Sequence, residues 1–120
     1  MKEERKRALV TGASSGIGKE TALLLARNGW HVTATARRAN KIEEYSAPKQ
    51  NISAVKLDVT DRETVVATLA QHPPFDLVVN NAGLALGINS IADADHNKWR
   101  QMMETNVLGV LNVTQATVGK

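Results

Sequence analysis

Three glycines stand in the segment TGASSGIG, residues 11–18, between an apolar run and a stretch with helical spacing. Gly12 can turn the chain where a strand ends, and Gly16 lets the backbone approach phosphate oxygens that a Cβ would obstruct. Gly18 lets the next helix pack closely on a sheet, with the positive end of that helix facing an anion. The glycines alone also fit an ordinary turn, but the strand–turn–helix context favours a pyrophosphate loop. The residues predicted to hold a dinucleotide here are Gly12, Ser14, Ser15, Gly16, Ile17 and Gly18.

The segment after the second predicted strand indicates which dinucleotide is bound. An Asp or Glu about twenty positions past the glycine loop would accept hydrogen bonds from a ribose and repel a 2′-phosphate. This chain instead has Arg37 and Arg38 after Thr35 and Ala36. A guanidinium carries a fixed charge and a fork of donors that fits phosphate oxygens. We therefore predict NADP rather than NAD, with Ser14 adding a hydroxyl to the same phosphate; two solvated arginines are the alternative.

Short apolar runs alternate with amphipathic stretches of helix length, which is typical of a parallel sheet with crossover helices. Strands are predicted at residues 7–11, 31–36, 52–57 and 75–79, and helices at 17–28, 40–46, 61–71 and 97–117. Gly29 and Pro48 are predicted to end the first two helices, and Thr60 to cap the third, with Glu63 at capping-box distance. Right-handed crossovers predict the strand order 3-2-1-4, the first half of a doubly wound, Rossmann-like α/β fold whose fourth strand is an apolar edge.

Composition excludes several classes of protein. The 120 residues allow one domain, and the chain has no cysteine for disulfides or thiolate metal sites. The net charge of +3 comes without a basic stripe interleaved with aromatic residues, so no nucleic-acid partner is expected. His31, His72 and His96 do not form a ligand spacing, and we expect no metal. The sequence has no long apolar run and no signal-peptide core, so we expect a cytoplasmic protein without a membrane partner.

Four motifs in order carry a resemblance to a known family. They are Thr11–Gly18, Asp58-Val59, Asn80-Asn81-Ala82-Gly83 and Asn106 within TNVLG. Together they resemble the short-chain dehydrogenase/reductase family, over nearly the whole chain. The loop NNAGLALG, residues 80–87, looks most like the branch of NADP-dependent 3-hydroxy acid (serine-type) dehydrogenases. The resemblance implies reversible hydride transfer between NADP(H) and a carbonyl or alcohol.

The resemblance also implies roles for individual residues. Asp58 would accept a hydrogen bond from the adenine amino group beside the Val59 amide, although a turn or cap role fits its local sequence equally well. Asn81, Ala82 and Gly83 would line the ribose side of the cofactor. Asn80 would tie the central strands together through its side chain, and Asn106 would be the catalytic asparagine that holds a water in a proton relay.

The family's remaining catalytic residues have no counterpart in this sequence. They are a Tyr, a Lys four positions after it, and a Ser further upstream. Tyr45 and Lys49 reproduce the spacing by letter, but they precede Asp58 rather than follow Asn106. Pro48 would also break the helix that aligns such a pair. The sequence therefore predicts a cofactor-binding half, residues 1–120, truncated before its acid–base residues.

Three functions are compatible with such a half. The first is the amino-terminal part of an NADP-dependent oxidoreductase, which would act on a small-molecule substrate only when the other half is supplied. The second is a stand-alone nucleotide-binding module or pseudoenzyme without turnover. The third, ranked last, is an interaction protein that uses its apolar edge and last helix. The apolar positions Met103, Val107, Val110 and Leu111 of that helix favour a homo-oligomer.

Overall fold

A computed structural model describes residues 6–46, 51–84 and 91–119. Four strands are present: β1 (Arg7–Val10), β2 (His31–Ala36), β3 (Ile52–Lys56) and β4 (Leu77–Val79). The α-helices are α1 (Gly16–Arg27), α2 (Ala39–Ser46), α3 (Arg62–Ala70), α4 (His96–Met103) and α5 (Gly109–Thr117). A short 3-10 helix, Ile91–Asp93, precedes α4, and a π-helical turn, Glu104–Leu108, joins α4 to α5. The predicted strands and the first three helices are confirmed to within about two residues at each end.

The four strands form one parallel sheet in the order β3-β2-β1-β4, which confirms the predicted topology. In the register of this sheet, Leu9 stands between Thr33 of β2 and Val78 of β4. Within the described ranges, β4 pairs only with β1, so its other side is an open edge. Because the strands are parallel, the carboxyl ends of all four lie at the same end of the sheet, where ligands bind in doubly wound folds.

Alternation along the strands divides the core between the two faces of the sheet. Val10, Val32 and Ala34 belong to a cluster that includes Ile42 of α2 and residues of α1. Leu9 belongs to a second cluster, with side chains of α3 and α5 such as Leu69 and Val113. The adjacent strands β1 and β2 are buried except at their first residues, whereas β3 and β4 at the two edges are largely half-exposed or exposed. The polar chemistry is left to the loops at the strand ends.

The predicted cap of α3 is wrong by one residue. Asp61, not Thr60, is the N-cap, and its Oδ1 accepts a hydrogen bond of 3.2 Å from the Thr64 N–H. The Thr60 hydroxyl is used elsewhere, because it donates to Asp58 at 2.6 Å. Glu63 lies in the first turn of α3, where its charge complements the helix dipole.

The sequence predicts one continuous last helix, but in the structure this helix is interrupted. The π-helical turn inserts one extra residue between α4 and α5, and at this turn Asn106 meets the backbone of Leu84. One turn later Gly109 lies against Val59, where a Cβ would come within 2.6 Å of the Val59 Cγ2. His96, expected in a loop, is instead the first residue of α4. Contacts with two distant loops thus override the local preference for a regular helix.

The other local predictions have mixed outcomes. Gly29 ends α1 as predicted, with φ +87° and a 3.1 Å hydrogen bond from its N–H to the Ala26 carbonyl. Pro48, predicted to end α2, and Lys49 lie outside the described residues, as do residues 85–87 of the 80–87 loop. In the ranges that are described, no helix has the length and apolarity needed to cross a membrane. The same ranges contain no cluster of three or more metal-ligating side chains.

Candidate dinucleotide site

A groove of about 440 Å³ opens at the carboxyl ends of the strands. It brings together most of the residues that the sequence predicts for the cofactor. The residues that line it are Gly12, Ser14, Ser15, Ala36, Arg37, Arg38, Leu57, Val59, Asn81, Ala82, Gly83, Leu84 and Thr105. Gly16 and Ile17 line an adjoining groove together with Ser14 and Ser15. The combined surface runs from the start of α1 to the ends of β2 and β3.

The first and last glycines of the glycine loop, Gly12 and Gly18, are held by contacts that leave no room for larger residues. Gly12 has φ +62°, and a Cβ on it would lie 2.7 Å from the Cα of Ala82. Gly18 is buried below the groove, where a Cβ would collide with the Gly12 carbonyl and come within 2.5 Å of the Asn81 Nδ2. The loop, α1 and the segment after β4 therefore form one closely packed unit.

The amino end of α1 is open to an anion. Ser15 is the N-cap in an extended conformation, but its side chain makes no capping hydrogen bond. The first turn of α1 contains no acidic residue, so the partial positive charge of the helix end is not compensated there. Ile17 is 77% exposed beside this end. Backbone N–H groups at such an end are suited to bind a pyrophosphate.

Thr11 joins the loop after β1 to the loop after β4. Its Oγ1 accepts hydrogen bonds of 3.0 Å from the N–H groups of both Asn81 and Ala82. The Asn81 Nδ2 donates in return to the Gly12 carbonyl at 3.0 Å. Asn81 therefore joins the ends of β1 and β4, and the prediction that Asn80 ties strands together in this way is wrong. The Asn80 side chain faces the other way and donates to the Thr114 hydroxyl of α5 at 3.3 Å.

Charged side chains stand at the ends of β2 and β3. The Arg37 Nε lies 3.7 Å from the Asp58 Oδ1, and both side chains are partly exposed. The same Oδ1 accepts hydrogen bonds from the Thr60 N–H at 2.9 Å and the Thr60 hydroxyl at 2.6 Å. Burial raises the pKa of Asp58, but these hydrogen bonds and the Arg37 charge outweigh it and hold the pKa below its ordinary value. Asp58 is therefore ionised at neutral pH.

Asn106 is fixed against the loop after β4 by a pair of hydrogen bonds. Its Oδ1 accepts from the Leu84 N–H at 2.8 Å, and its Nδ2 donates to the Leu84 carbonyl at 2.9 Å. Both polar ends of the side-chain amide thus contact the backbone of this loop. The neighbouring Thr105 is 6% exposed and lines the groove. Asn106 is well placed to hold the groove wall in position.

Tyr45 has a structural role in the described chain. Its hydroxyl donates a 2.7 Å hydrogen bond to the Ala13 carbonyl of the glycine loop, and the Lys19 ammonium lies 5.4 Å from its ring centre. Burial raises the pKa of Tyr45 to about 12. A general acid that works near neutral pH needs a lower pKa. Tyr45 therefore supports the loop and is unsuited to the family's acid–base role.

Several residues of the site were missed by sequence reasoning. They are Thr11, Tyr45, Leu57, Thr60, Leu84 and Thr105. The sequence places Thr11 directly before the glycine loop, and that position was the one available signal for its role. Tyr45 and Leu84 contact partners distant in sequence, Ala13 and Asn106, and no local pattern indicates such partners. Thr60 contacts Asp58, two residues before it.

A parallel sheet in the order β3-β2-β1-β4, with a glycine loop before α1 and a groove at the strand ends, defines the first half of a dinucleotide-binding fold. The particular family follows from comparison of the sequence. The model of the short chain dehydrogenase family matches residues 6–120, and the chain belongs to that family.

Curated relatives and solved structures agree with this assignment. The chain is 41% identical over 111 residues to a serine 3-dehydrogenase of Rhizobium radiobacter, covering 88% of the chain and 45% of that protein. It is 50% identical over 117 residues to an uncharacterized oxidoreductase of Mycobacterium tuberculosis, covering 97% of the chain and 46% of the relative. Its fold matches the closed form of a serine dehydrogenase complexed with NADP+ with a TM-score of 0.89 and 34% identity, over 93% of this chain and 47% of that one. The chain thus spans about half the length of the relatives it matches.

We expect Tyr45→Phe to destabilise the fold at neutral pH by about 1 kcal/mol, because it removes the hydrogen bond to the Ala13 carbonyl. The wild-type phenol should ionise more readily in the unfolded chain, near pH 10, than in the folded chain, whose pKa is about 12. The contribution of the Tyr45 phenol to the stability of the fold is therefore complete below about pH 10 and is lost as the pH rises toward 12. Urea unfolding followed by circular dichroism at several pH values measures both effects. Equal stability of the two proteins across this range would contradict the structural role.

Proposed function

We propose that this chain is the NADP-binding part of a short-chain oxidoreductase that transfers hydride between NADP(H) and a carbonyl or alcohol. The observation that carries the proposal is the charge at the groove rim. Arg37 and Arg38 are exposed where β2 ends, at the position where a carboxylate would select NAD. The serine dehydrogenase structure with a TM-score of 0.89 contains NADP+, which supports the same assignment.

The residues present fit the shape and charge of this cofactor. The open amino end of α1 suits the pyrophosphate, and the two arginines suit a 2′-phosphate. Asp58 offers a carboxylate to the adenine amino group, and Asn81 to Gly83 form the wall next to the ribose side. A groove of about 440 Å³ is within the range of small-molecule sites.

Binding and catalysis are separate tasks in this fold. When bound, the nicotinamide ring supplies the hydride or accepts it. The chain's own residues bind and orient the dinucleotide, and Asn106 holds the loop at Leu84 next to it. A proton donor must also meet the substrate oxygen, and Tyr45 is committed to the glycine loop. We therefore propose that turnover needs a further segment with the acid–base residues, since the matched relatives are about twice as long.

The alternative is a nucleotide-binding module without turnover. NADPH consumption distinguishes the two functions when the carboxyl-terminal half of a short-chain dehydrogenase relative is added to the chain. A module would bind NADPH equally well but would not oxidise it with any carbonyl compound under these conditions.

The cofactor assignment predicts a strong effect of Arg37→Ser on NADPH binding and a small effect on NADH binding. A charge-assisted contact with the phosphate contributes about 1.5–3 kcal/mol, which corresponds to a tenfold or greater loss of NADPH affinity. Calorimetric titration of the 120-residue chain with both nucleotides measures the selectivity. Arg62→Ser, at the exposed start of α3, is the control with the same change in net charge. Equal losses for NADPH and NADH in the Arg37 variant would refute the assignment.

Two alanine variants with matched backbone strain test whether the glycine loop borders the dinucleotide. Gly16 has φ +59° and Gly29 has φ +87°, and a Cβ on either would meet no atom within 4 Å. Alanine at either position should cost a similar 1–2 kcal/mol of stability, since both must hold a left-handed conformation. Only Gly16→Ala should weaken NADPH binding in the same calorimetric assay, because its methyl group would stand where the dinucleotide approaches α1. Comparable affinity in the two variants would show that Gly16 does not border the cofactor.

We also propose that the chain forms a homo-oligomer through its last helices. Apolar side chains on this segment are about half exposed: Trp99, Met103, Val107, Leu108 and Leu111.

We expect Leu111→Glu to lower the mass measured by analytical ultracentrifugation, because a charge would be buried in the contact. Leu24→Glu, at a 53% exposed position on α1, is the control that should leave the mass unchanged. A monomeric wild-type chain would contradict this proposal.

A further inference from the structure

One oxygen of Asp58 connects Arg37, which follows β2 and lines the groove, to Thr60, which precedes α3. Its Oδ1 accepts both hydrogen bonds from Thr60, at 2.9 and 2.6 Å, and lies 3.7 Å from the Arg37 Nε. The Thr60 hydroxyl is available for this contact because Asp61 takes over the capping of α3. Thr60 is β-branched and half-buried, so its side chain has few alternative rotamers.

A carboxylate at this position looks unfavourable for a cofactor with a 2′-phosphate, since like charges repel. Two features change that expectation. The two Thr60 donors fix the carboxylate and offset part of its charge. Arg37 is attracted to Asp58 through Nε, and the terminal nitrogens of its planar fork can then serve a second anion.

We propose that Thr60 and Asp58 are positioning residues that aim the Arg37 guanidinium at the 2′-phosphate of NADP. This inference rests on the proposed function and adds the residues that set its cofactor selectivity. Thr60 fixes the carboxylate, the carboxylate orients Arg37 through Nε, and the oriented fork recognises the phosphate. An unoriented arginine would have to lose its side-chain freedom on binding, which lowers affinity for the phosphate.

Two fragments of the cofactor isolate this effect from the rest of the dinucleotide. Adenosine 2′,5′-bisphosphate and 5′-AMP differ only by the 2′-phosphate. The ratio of their dissociation constants, measured by calorimetry on the full 120-residue chain, reports the contribution of that phosphate. Any damage to the adenine contact affects both fragments and cancels in the ratio.

Thr60→Val removes the hydroxyl and keeps the side-chain shape and the backbone N–H donor. We expect it to reduce the selectivity ratio by about twofold to fivefold, the effect of one oriented ion pair near the surface. Thr60→Ser restores the hydroxyl and should restore most of the ratio. A Thr60→Val ratio equal to that of the wild type, with both affinities changed by the same factor or not at all, would overturn the proposal.

Asp58→Asn gives an independent test that does not depend on how well Thr60→Val folds. The amide keeps an acceptor for Thr60 but has no charge to attract Arg37. We expect the selectivity ratio to fall, by about as much as in Thr60→Val. If the carboxylate only repelled the phosphate, the ratio would rise, and the proposal would be wrong. A wild-type chain that binds both fragments equally would instead overturn the NADP assignment, and the positioning role with it.

Discussion

The hydroxyl of Thr11 holds together two loops that are about 70 residues apart in the sequence. It accepts hydrogen bonds from two consecutive N–H groups, while Asn81 returns a hydrogen bond to the Gly12 carbonyl. These contacts draw the loop after β1 and the loop after β4 together so closely that Gly12 touches the backbone of Ala82. Loss of the hydroxyl would leave the Ala82 N–H without this acceptor, at about 1–3 kcal/mol if it stays buried. The Asn81 N–H would keep its 3.1 Å hydrogen bond to the Val79 carbonyl. The floor of the groove depends on this junction, and so does the direction in which α1 leaves the sheet.

The distribution of charge along the groove depends on which charged and polar groups the fold places around that floor. The uncapped end of α1 and the arginines after β2 provide positive charge at separate points along the groove. Asp58, which follows β3 on the far side of the arginines from α1, is the counter-charge to Arg37, and the hydrogen bonds from Thr60 help to hold its pKa below the ordinary value. Burial raises the pKa of Tyr45 to about 12, so its hydroxyl stays protonated even well above neutral pH. The site is therefore suited to bind an elongated anion.

Much of this arrangement could be predicted from the sequence, because strand order depends on general rules. Alternation of apolar runs with amphipathic stretches and right-handed crossovers predicted the order 3-2-1-4, and the context of Gly12 to Gly18 predicted the loop. The errors arose where two neighbouring residues competed for one role. In an extended segment adjacent side chains point in opposite directions, so the sequence could not show whether Asn80 or Asn81 faces β1. Thr60 and Asp61 are both good caps, and the choice between them depended on Asp58, whose Oδ1 accepts a 2.6 Å hydrogen bond from the Thr60 hydroxyl.

The interruption of the last helix depends on contacts at Leu84 and Val59 that no local pattern contains. It also has a geometric effect on everything that follows it. Each residue of an α-helix advances about 100° around the axis, so the extra residue of a π turn rotates the segment after it by about that angle relative to the segment before it. The side chains of α5 are consequently rotated about the helix axis relative to those of α4, whose residues are nearly all exposed. Any surface that covers both must follow this twist, and loss of one residue from Glu104–Leu108 would turn Gly109 away from Val59 and Val113 out of the core.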